Sequence, residues 1–383
     1  MTVLKLLYIC NEYPPAAAGG IGVLLRGLCE QLADRGHEVH VVGCYQIERP
    51  ITELINGVRI HRLPGRFGRL GLLTDRIALY RAIAGIAAQG EIDIIEAPDF
   101  EAPSALLPRQ SRKRVVRLHG SHVYFSHERD QVPSRSVGLL EKIALMQADA
   151  WISVSEYTAR RTQEIFRLNR PINIVHNAAN VPDRFPHKFD YAPRRRVVYF
   201  GTLAEKKGVL TLARSWKTFQ ESQPDWSLTL IGRDGLHQGR SVHQQMIELL
   251  GPVSASVEFL GPMGNDELLN RLVEFDFAVL PSFSETFALA PMEAMALGVP
   301  VIYSQLSSGP ELMMHGVDGW LADPRDQKQL SGLLTAIADD PIMRARVAKA
   351  GQAKIKQFFS HKDYVEKNLQ VYRQIFGKRE SAV

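Results

Sequence analysis

Two hydrophobic periods alternate along the first half of this chain. Short apolar runs have the length and composition of buried strands: KLLYIC, HEVHVVGC, GVRIHRLP, DIIEAP, RVVRLHG, AWISVS and INIVHN. Between them lie stretches with helical spacing, such as VLLRGLCEQLADRG, after which Gly36 suits a left-handed cap. Strands that alternate with helices predict βαβ units, and therefore a parallel sheet with helices on both faces.

The pattern stops at 181–196 and then starts again. VPDRFPHKFDYAPRRR is rich in proline and charge and has little periodicity, which is typical of a linker. Strand-like runs resume with VVYFG, LTLIG, VEFLG, FAVLPS and VPVIYS, and late helices follow. We therefore predict two α/β domains, 1–182 and 195–358, with a cleft between them. In such folds, ligands bind beyond the carboxyl ends of the strands.

Composition agrees with a two-domain globular protein and narrows its class. The chain has 383 residues, of which 45% are hydrophobic and 23% charged. It has no apolar run of the roughly 20 residues that a membrane span needs, and its N-terminus lacks signal-peptide features. The three cysteines have no metal-ligand spacing, so we predict reduced thiols and a cytoplasmic location. A net charge of +5 suits an anionic partner but is too small to indicate nucleic acid, and no nucleic-acid motif is present.

Two loops that follow predicted strands in the first half contain candidate ligand-binding residues. In NEYPPAAAGGIG, which we place before a helix starting near Val23, Gly19, Gly20 and Gly22 would let backbone amides approach an anion. A flexible turn explains the glycines equally well. In RLHGSH, His119 and His122 follow a strand and could face a ligand, although a single histidine is more often structural.

The second half has two more such exits. FGTLAEKKG places Gly201 at a strand end, with Lys206 and Lys207 able to neutralise phosphate or to form a solvated pair. In SETFALAPMEAMALG, Pro291 fits the first helical position and Gly298 the residue after the helix.

This second pattern separates two glutamates by role. It puts Glu285 in the loop and Glu293 in the first helical turn, where it could simply complement the helix dipole. The two carboxylates, with backbone amides between them, suit a ligand that has hydroxyls at both ends and a diphosphate in the middle.

One helical stretch carries both basic and apolar residues. Segment 66–86, RFGRLGLLTDRIALYRAIAGI, could form a basic amphipathic surface that contacts an anionic membrane. Alternatively, it packs on its own sheet and exposes a basic edge.

Taken together, these motifs resemble the retaining glycosyltransferases of family 4, which have the GT-B fold. SETFALAPMEAMALGVPVI is similar to the family's E-x7-E signature, and GGIG, RLHG, ISVSEYTA, IVHNAAN and GPELMMHGVDGWLADPRD follow in the family's positions. The resemblance spans nearly the whole chain. It implies two Rossmann-like α/β domains that face each other across a cleft, with the last helix, 361–383, crossing back to the first domain. It also implies that the first domain binds the acceptor and the second the donor.

The resemblance implies a role for each candidate residue. Glu285 would bind the transferred sugar, and Glu293 the ribose of a nucleoside diphosphate sugar. His119 would lie beside the reacting sugar, and Lys207 would hold the diphosphate. The donor side would also include the residues of three backbone segments: Gly20; Gly201, Thr202 and Lys206; Phe287, Ala288 and Leu289. Gly19, Gly22, His119 and His122 would lie on the acceptor side.

Two departures from the family pattern bear on activity. Thr202 stands where the family usually has an arginine, and NAAN replaces the usual N-G-V-D. Lysine is a point charge, so Lys206 would not reproduce a forked guanidinium. A protein that binds nucleotide sugars without transferring them, or that hydrolyses them, is therefore the alternative.

The implied reaction is a hexosyl transfer with retention to a saccharide or lipid-linked acceptor, in polysaccharide, glycolipid or glycoconjugate synthesis. A small-molecule acceptor is the alternative. No Asp-x-Asp metal site is evident at a matching place, so we expect no metal and no cofactor. An epimerase or a phosphorylase is disfavoured by the E-x7-E context, and a dehydrogenase by the absence of G-x-G-x-x-G with a downstream acid.

Overall fold

The chain forms two compact α/β units in a computed structural model that describes residues 2–16, 19–66, 71–90, 92–108, 112–179 and 193–377. One unit comprises Met1–Asn177 and His361–Val383, and the other Ala178–Ser360. Most of the predicted linker, 180–192, lies outside the described residues.

The first unit is built on an eight-stranded sheet. Its strands are β1 (Lys5–Ile9), β2 (Glu38–Tyr45), β3 (Ile51–Ile55), β4 (Val58–Pro64), β5 (Ile94–Pro98), β6 (Lys113–Leu118), β7 (Ala150–Ser153) and β8 (Asn173–Ile174). Its helices up to that point are α1 (Gly20–Asp34), α2 (Gly71–Gln89), α3 (His122–Glu128), α4 (Arg135–Gln147) and α5 (Glu156–Phe166). The strand order is β3-β4-β2-β1-β5-β6-β7-β8.

This sheet is parallel except at one edge. Strand β3 pairs antiparallel with β4, so the prediction of a purely parallel sheet is wrong at this edge. Residues 51–55 alternate between exposed and half-buried, because an edge strand is covered on few sides, and this segment lacks the strong apolar run of a central strand.

The second unit has a six-stranded parallel sheet and a small hairpin. Its strands are β9 (Arg196–Phe200), β10 (Ser227–Ile231), β11 (Leu236–His237), β12 (Arg240–Ser241), β13 (Val257–Gly261), β14 (Phe277–Leu280), β15 (Val301–Ser304) and β16 (Trp320–Ala322). Its helices are α6 (Val209–Ser222), α7 (Val242–Leu250), α8 (Asn265–Leu272), α9 (Leu289–Ala296), α10 (Gly309–Leu312), α11 (Gln327–Asp339) and α12 (Pro341–Phe358). The strand order is β13-β10-β9-β14-β15-β16, while β11 and β12 form the hairpin.

The last helix, α13 (His361–Gly377), belongs to the first unit. It packs close to α1, where the ring of His361 lies so near Gly27 that any side chain at position 27 would collide with it.

Each sheet has a point where the strand order reverses. In the first sheet it lies between β1 and β5, and in the second between β9 and β14. Loops that leave the carboxyl ends of two such strands diverge and open a crevice, which is where open α/β sheets bind ligands. All the candidate residues lie in or beside the loops that leave these strands or their neighbours.

Candidate active site

Two loops meet at the reversal point of the second sheet. Strands β9 and β14 are parallel neighbours, so the segments that follow them, 201–208 and 281–288, start at the same edge. The Phe283 amide donates to the Lys206 carbonyl at 2.9 Å. Gly208 has a φ of +73°, and a Cβ there would lie 1.9 Å from the Pro281 carbonyl oxygen. Only glycine fits at position 208, and its absent side chain lets the two loops pack together.

This packing brings together two of the predicted residues. The Lys207 ammonium pairs with the Glu285 carboxylate, and their side chains are 27% and 16% exposed. Beneath them, buried Tyr199 donates its hydroxyl to the Thr202 carbonyl at 2.8 Å, and burial together with the Glu285 charge raises its pKa. The pair is therefore held by a rigid base but remains open to an incoming ligand.

Gly201, Thr202 and Lys206 lie in the same loop as Lys207. Gly201 has a φ of +132°, and its carbonyl lies so close to Gly232 that no side chain would fit there. Thr202 and Lys206 are exposed. The loop therefore has a fixed path, and its lysines extend from it.

Helix α9 starts earlier than predicted, which changes the position of Glu293. Its first residue is Leu289 and Ala288 is its N-cap, so Pro291 is not at the first helical position. Glu293 consequently lies in the second turn, and the first turn contains no acidic residue. The prediction of a first-turn, dipole-complementing glutamate is wrong, because a proline is also tolerated at the third helical position, where its missing N–H would be unpaired in any case.

Glu293 is instead a buried carboxyl without a partner. It is 7% exposed, and among the described residues no group donates a hydrogen bond to it or pairs with its charge. Burial raises its pKa to about 7. Buried polar groups are normally hydrogen-bonded, so an unpartnered carboxyl of this kind points to a ligand that supplies the donor.

Gly298, after α9, has a φ of +75° and donates its amide to the Met295 carbonyl, so the predicted helix end is confirmed. Phe287 turns its ring into the core, where it lies 5.6 Å from the ring of Phe359. Its amide and those of Ala288 and Leu289 form the entry to the helix.

In the first unit, the glycine loop differs from its prediction. Helix α1 begins at Gly20 instead of near Val23, so Gly20 and Gly22 lie in its first turn and Gly19 is the N-cap. Glu12 accepts a hydrogen bond from the Gly22 amide at 2.9 Å, and a Cβ on Gly19 would lie 2.7 Å from the same carboxylate. The anion-binding end of this helix thus holds a carboxylate of the chain itself. Sequence reasoning missed Glu12, although its place directly after β1 was visible.

His119 follows β6 and is half-buried. Asp99 accepts hydrogen bonds from the His119 amide at 2.8 Å and the Gly120 amide at 3.2 Å, which shapes the loop. Burial and, secondarily, the nearby Arg117 guanidinium lower the pKa of His119 to about 3. The imidazole is therefore neutral at physiological pH. Burial raises the pKa of Asp99 to about 7, against the opposing effect of those amides.

His122 has a structural contact. It is the first residue of α3, where Glu141 accepts hydrogen bonds from the His122 and Val123 amides. Its ring Nε2 accepts from the Ser134 amide at 3.2 Å.

Sequence reasoning also missed a buried polar network behind His119. Arg117 of β6 donates to Glu96 of β5 through Nε at 2.6 Å and through a second nitrogen at 3.2 Å. The same guanidinium donates to Asn368 and Tyr372 of α13, and Tyr372 also donates to Glu96 at 2.8 Å. Charged residues inside otherwise apolar strands, EAP and VVRLH, were the available signal.

The basic surface predicted for 66–86 is altered by the fold. Residues 67–70 lie outside the described residues. Arg76 is buried and donates to the carbonyls of Glu101 and Ala102, so it is not part of a surface. The exposed face of α2 instead carries Leu73, Ile77 and Arg81. Within the described part of the chain, no helix is long and apolar enough to cross a bilayer, and no cluster of three potential metal ligands occurs.

Two family models match the chain in succession. The model for Glycosyltransferase Family 4 matches residues 18–183, and the model for Glycosyl transferases group 1 matches residues 183–354. This chain is a group 1 glycosyltransferase. The two models meet at residue 183, a few residues after the first segment of the first unit ends at Asn177, and the E-x7-E segment lies in the range of the second model.

Relatives and solved structures agree with this assignment. This glycosyltransferase is 27% identical to glycogen synthase of Mycobacterium tuberculosis, over 96% of this chain and 94% of the relative. It is 24% identical to N-acetyl-alpha-D-glucosaminyl L-malate synthase of Bacillus anthracis, over 94% of both chains. Sucrose-phosphate synthase from Thermosynechococcus elongatus superposes with a TM-score of 0.81 at 22% identity, over 98% of this chain and 100% of that one. HepE from Anabaena, solved with UDP, gives a TM-score of 0.72 at 19% identity, over 97% and 100% of the two chains. The predicted GT-B fold, with two Rossmann-like units, is thereby confirmed.

Proposed function

We propose that this enzyme transfers a hexosyl unit from a nucleoside diphosphate sugar to an acceptor hydroxyl, with retention of anomeric configuration and without a metal ion. The observation that carries the proposal is the pairing of Lys207 with Glu285 at the reversal point of the second sheet, together with the unpartnered carboxyl of Glu293 on the helix that follows the Glu285 loop. These groups offer a cation for a diphosphate and two carboxyl groups that can accept hydrogen bonds from hydroxyls. A nucleoside diphosphate sugar requires this set, because its diphosphate lies between the ribose and the transferred sugar.

In this mechanism, Lys207 leaves the Glu285 carboxylate and pairs with the diphosphate of the donor. The C1–O bond of the donor breaks, and the electron pair leaves with the diphosphate, whose developing charge Lys207 and the amides of Phe287 to Leu289 stabilise. Glu285, released from the lysine, accepts hydrogen bonds from hydroxyls of the transferred sugar. It positions the sugar and does not act as a nucleophile.

The acceptor oxygen forms the new bond to C1 on the face from which the diphosphate departs, and its proton passes to a departing phosphate oxygen. The neutral imidazole of His119 lies on the acceptor side, where it can hydrogen-bond a hydroxyl without adding charge. Gly19, Gly20 and Gly22 shape the backbone on that side.

Glu293 holds the ribose. A ribose hydroxyl supplies the hydrogen-bond donor that this buried carboxyl lacks, and binding removes the cost of the unpaired group. Because Thr202 replaces the arginine of the family pattern, the diphosphate has one guanidinium partner fewer. Lys206 and Lys207 therefore neutralise its charge.

The proposed donor agrees with what is known of similar proteins. HepE from Anabaena has been solved with UDP and with UDP-glucose, and relatives include a GDP-mannose-dependent mannosyltransferase of Corynebacterium glutamicum. Glycogen synthase and an O-antigen chain mannosyltransferase among the relatives favour polysaccharide or glycoconjugate synthesis.

A donor panel tests this proposal. The protein is incubated with UDP-, GDP- and ADP-linked hexoses, and thermal shift and mass spectrometry report binding and release of the nucleoside diphosphate. We expect one nucleotide to raise the melting temperature and its sugar to be transferred or slowly hydrolysed. Binding without any release of diphosphate favours the non-catalytic alternative, and binding of none contradicts the proposal.

The acceptor side includes a proposed contact with an anionic membrane, which would bring a lipid-linked acceptor to the enzyme. On α2, Leu73 is 65% and Ile77 43% exposed, one turn apart, and Arg81 follows on the same face. Sedimentation with vesicles that contain phosphatidylglycerol tests it. We expect salt-sensitive binding that Leu73→Ser with Ile77→Ser abolishes and that Ile342→Ser, at an exposed apolar residue of the second unit, leaves unchanged.

A further inference from the structure

A small pocket lies in the first unit at the amino ends of β5 and β6. Its volume is about 40 Å³, which is room for about three water-sized groups, such as the free oxygens of a phosphate. Its polar side chains are Tyr80, Arg112 and Arg114, and the rest of its wall is apolar, from α2, β5 and the loop before β6. His119 follows the carboxyl end of β6, so this pocket lies at the opposite end of that strand from the candidate active site.

Arg112, directly before β6, is a half-buried cation without a counterion. It makes no hydrogen bond or ion pair with another described residue, and its Nη1 atom is buried. Burial lowers the pKa of Arg112, and no carboxylate offsets this effect. Other buried arginines of the chain have acceptors: Arg76 donates to two carbonyls, and Arg344 donates to Asp276. Because a buried polar group without a partner is rare and costly, Arg112 points to an anion from outside the chain.

Arg114 adds a second guanidinium to the same pocket. It is 6% exposed, and its Nη2 atom donates to the Pro108 carbonyl at 2.7 Å. Burial raises the pKa of Tyr80, and the charges of Arg76 and Arg114 act against that rise, which places the Arg114 charge near the Tyr80 hydroxyl. No aspartate or glutamate of the described chain lines the pocket. The two guanidiniums repel each other, and an anion between them would reverse this effect.

We propose that this pocket is an anion site, separate from the donor site, that binds one phosphate group through Arg112 and Arg114. The proposal goes beyond the transferase function and does not depend on it. Exposed apolar side chains beside the pocket favour a lipid headgroup over a free phosphate ester as the source of the phosphate. Leu106 is 51% exposed and directly precedes Leu107 of the pocket wall, and Ile77 is 43% exposed and lies one turn before Tyr80 on α2.

Titration of the full chain with inorganic phosphate tests the site. The protein carries ¹⁵N-arginine, chloride keeps the ionic strength constant, and the Nε–H signal that disappears in Arg112→Gln identifies Arg112. We expect saturable shifts of the Arg112 and Arg114 signals. Followed at Arg114, phosphate should bind about tenfold more weakly to Arg112→Gln, because a charge-assisted hydrogen bond is lost. Arg135→Gln, at an exposed arginine of α4, should leave the affinity unchanged. The absence of a saturable shift, or equal affinity in Arg112→Gln, overturns the proposal.

Thermal melts separate an anion site from a structural arginine. In chloride buffer, Arg112→Gln should melt no lower than the wild type, because the substitution removes an uncompensated cation. In phosphate buffer, the wild type should gain more in melting temperature than the variant, because phosphate binds its folded state more tightly. A clear loss of melting temperature in chloride would show that Arg112 serves the fold alone, and it would overturn the proposal.

A matched pair of ligands identifies the source of the phosphate. Glycerol 3-phosphate and dihexanoyl phosphatidic acid share the same phosphate monoester, and only the second has acyl chains. We expect the lipid to bind more tightly, by an amount that Leu106→Ser reduces; equal binding of the two would indicate a free phosphate ester. Either result supports the site if Arg112→Gln weakens the binding, and binding of neither ligand contradicts it.

The donor panel keeps this proposal apart from the proposed function. Arg112→Gln should bind the nucleoside diphosphate as tightly as the wild type does, since the two sites lie in different units. If no nucleoside diphosphate binds, the proposed function fails and the phosphate site stands. If the variant loses nucleoside diphosphate and phosphate together, the two sites are not separate and this inference fails.

Discussion

The two reversal points of this molecule each contain a cation paired with a glutamate, and the two pairs differ in burial. Lys207 and Glu285, in the second unit, have side chains that are 27% and 16% exposed. Arg117 and Glu96, in the first unit, are 3% and 5% exposed, and α13 holds them with further hydrogen bonds. The first of these pairs can exchange partners with a ligand, whereas the second cannot separate without leaving a charge buried.

This difference suggests a division of roles. The partly exposed Lys207–Glu285 pair keeps a cation for the diphosphate and a carboxylate for the sugar close together before the donor binds. The pair breaks when the donor binds. A buried arginine–glutamate pair fixes the strand that carries His119 and offers a single unused donor. The Lys207–Glu285 pair therefore serves ligand recognition, whereas the Arg117–Glu96 pair contributes both to stability and to recognition.

The largest expected effect comes from breaking the buried pair. Arg117→Met leaves Glu96 buried and uncompensated, which should lower the free energy of unfolding by about 3–5 kcal/mol. Urea denaturation measures it, and Arg195→Met, whose partner Asp225 is 71% exposed, is the control with an expected change of about 0–1 kcal/mol. Similar losses in both variants would remove the distinction between the pairs.

The less buried pair, Lys207 and Glu285, should instead affect catalysis. Glu285→Gln removes the charge, leaves the shape and should reduce kcat by about 10²–10³-fold, with little change in melting temperature. Glu248→Gln is a control, since that side chain pairs with Arg240 on the surface. Undiminished turnover in Glu285→Gln would show that this glutamate does not position the sugar.

Glu293 should link stability, pH and binding. Its pKa is about 7 in the folded chain against an ordinary 4.5, so the native state holds a proton that the unfolded state has lost between these values. Stability from this group is thus present below pH 4.5 and lost as the pH rises through 7. At pH 8, Glu293→Gln should therefore stabilise the protein by roughly 2–3 kcal/mol relative to the wild type.

Thermal melts at pH 5 and pH 8 measure this effect, and the gain should fall to roughly a quarter at the lower pH. The same variant should bind the nucleoside diphosphate more weakly, because the ribose acceptor is lost. A variant that gains stability and keeps full affinity would exclude Glu293 from the ribose site.

The smallest expected effect is that of a chelator. With the proposed metal-free mechanism, in which Lys207 and backbone amides stabilise the leaving group, EDTA should leave the transfer rate unchanged. A clear loss of rate that Mg²⁺ or Mn²⁺ restores would contradict it.

Sequence patterns predicted the repeated α/β organisation and the loops that carry the candidate residues. Their predictions were wrong where a local pattern fits more than one start of a helix or is too weak to indicate a strand. Pro291 fits more than one of the first helical positions, so Glu293 was placed one turn too early. The edge strand β3 was missed because its alternation is weak, and α1 was started late because three glycines obscure a helix start.

By itself, the sequence determined most of the central strands, that the chain restarts as a second α/β unit and which loops hold Glu285, Lys207 and His119. Hydrophobic periodicity and glycine placement act over a few residues, and so they are visible in the chain. Only the tertiary structure decided that Lys207 faces Glu285 across 78 positions, that Glu12 occupies the start of α1 and that α13 meets Arg117 across 251 positions. These contacts join charges brought together by strand order, and charge partners far apart in sequence leave no local pattern.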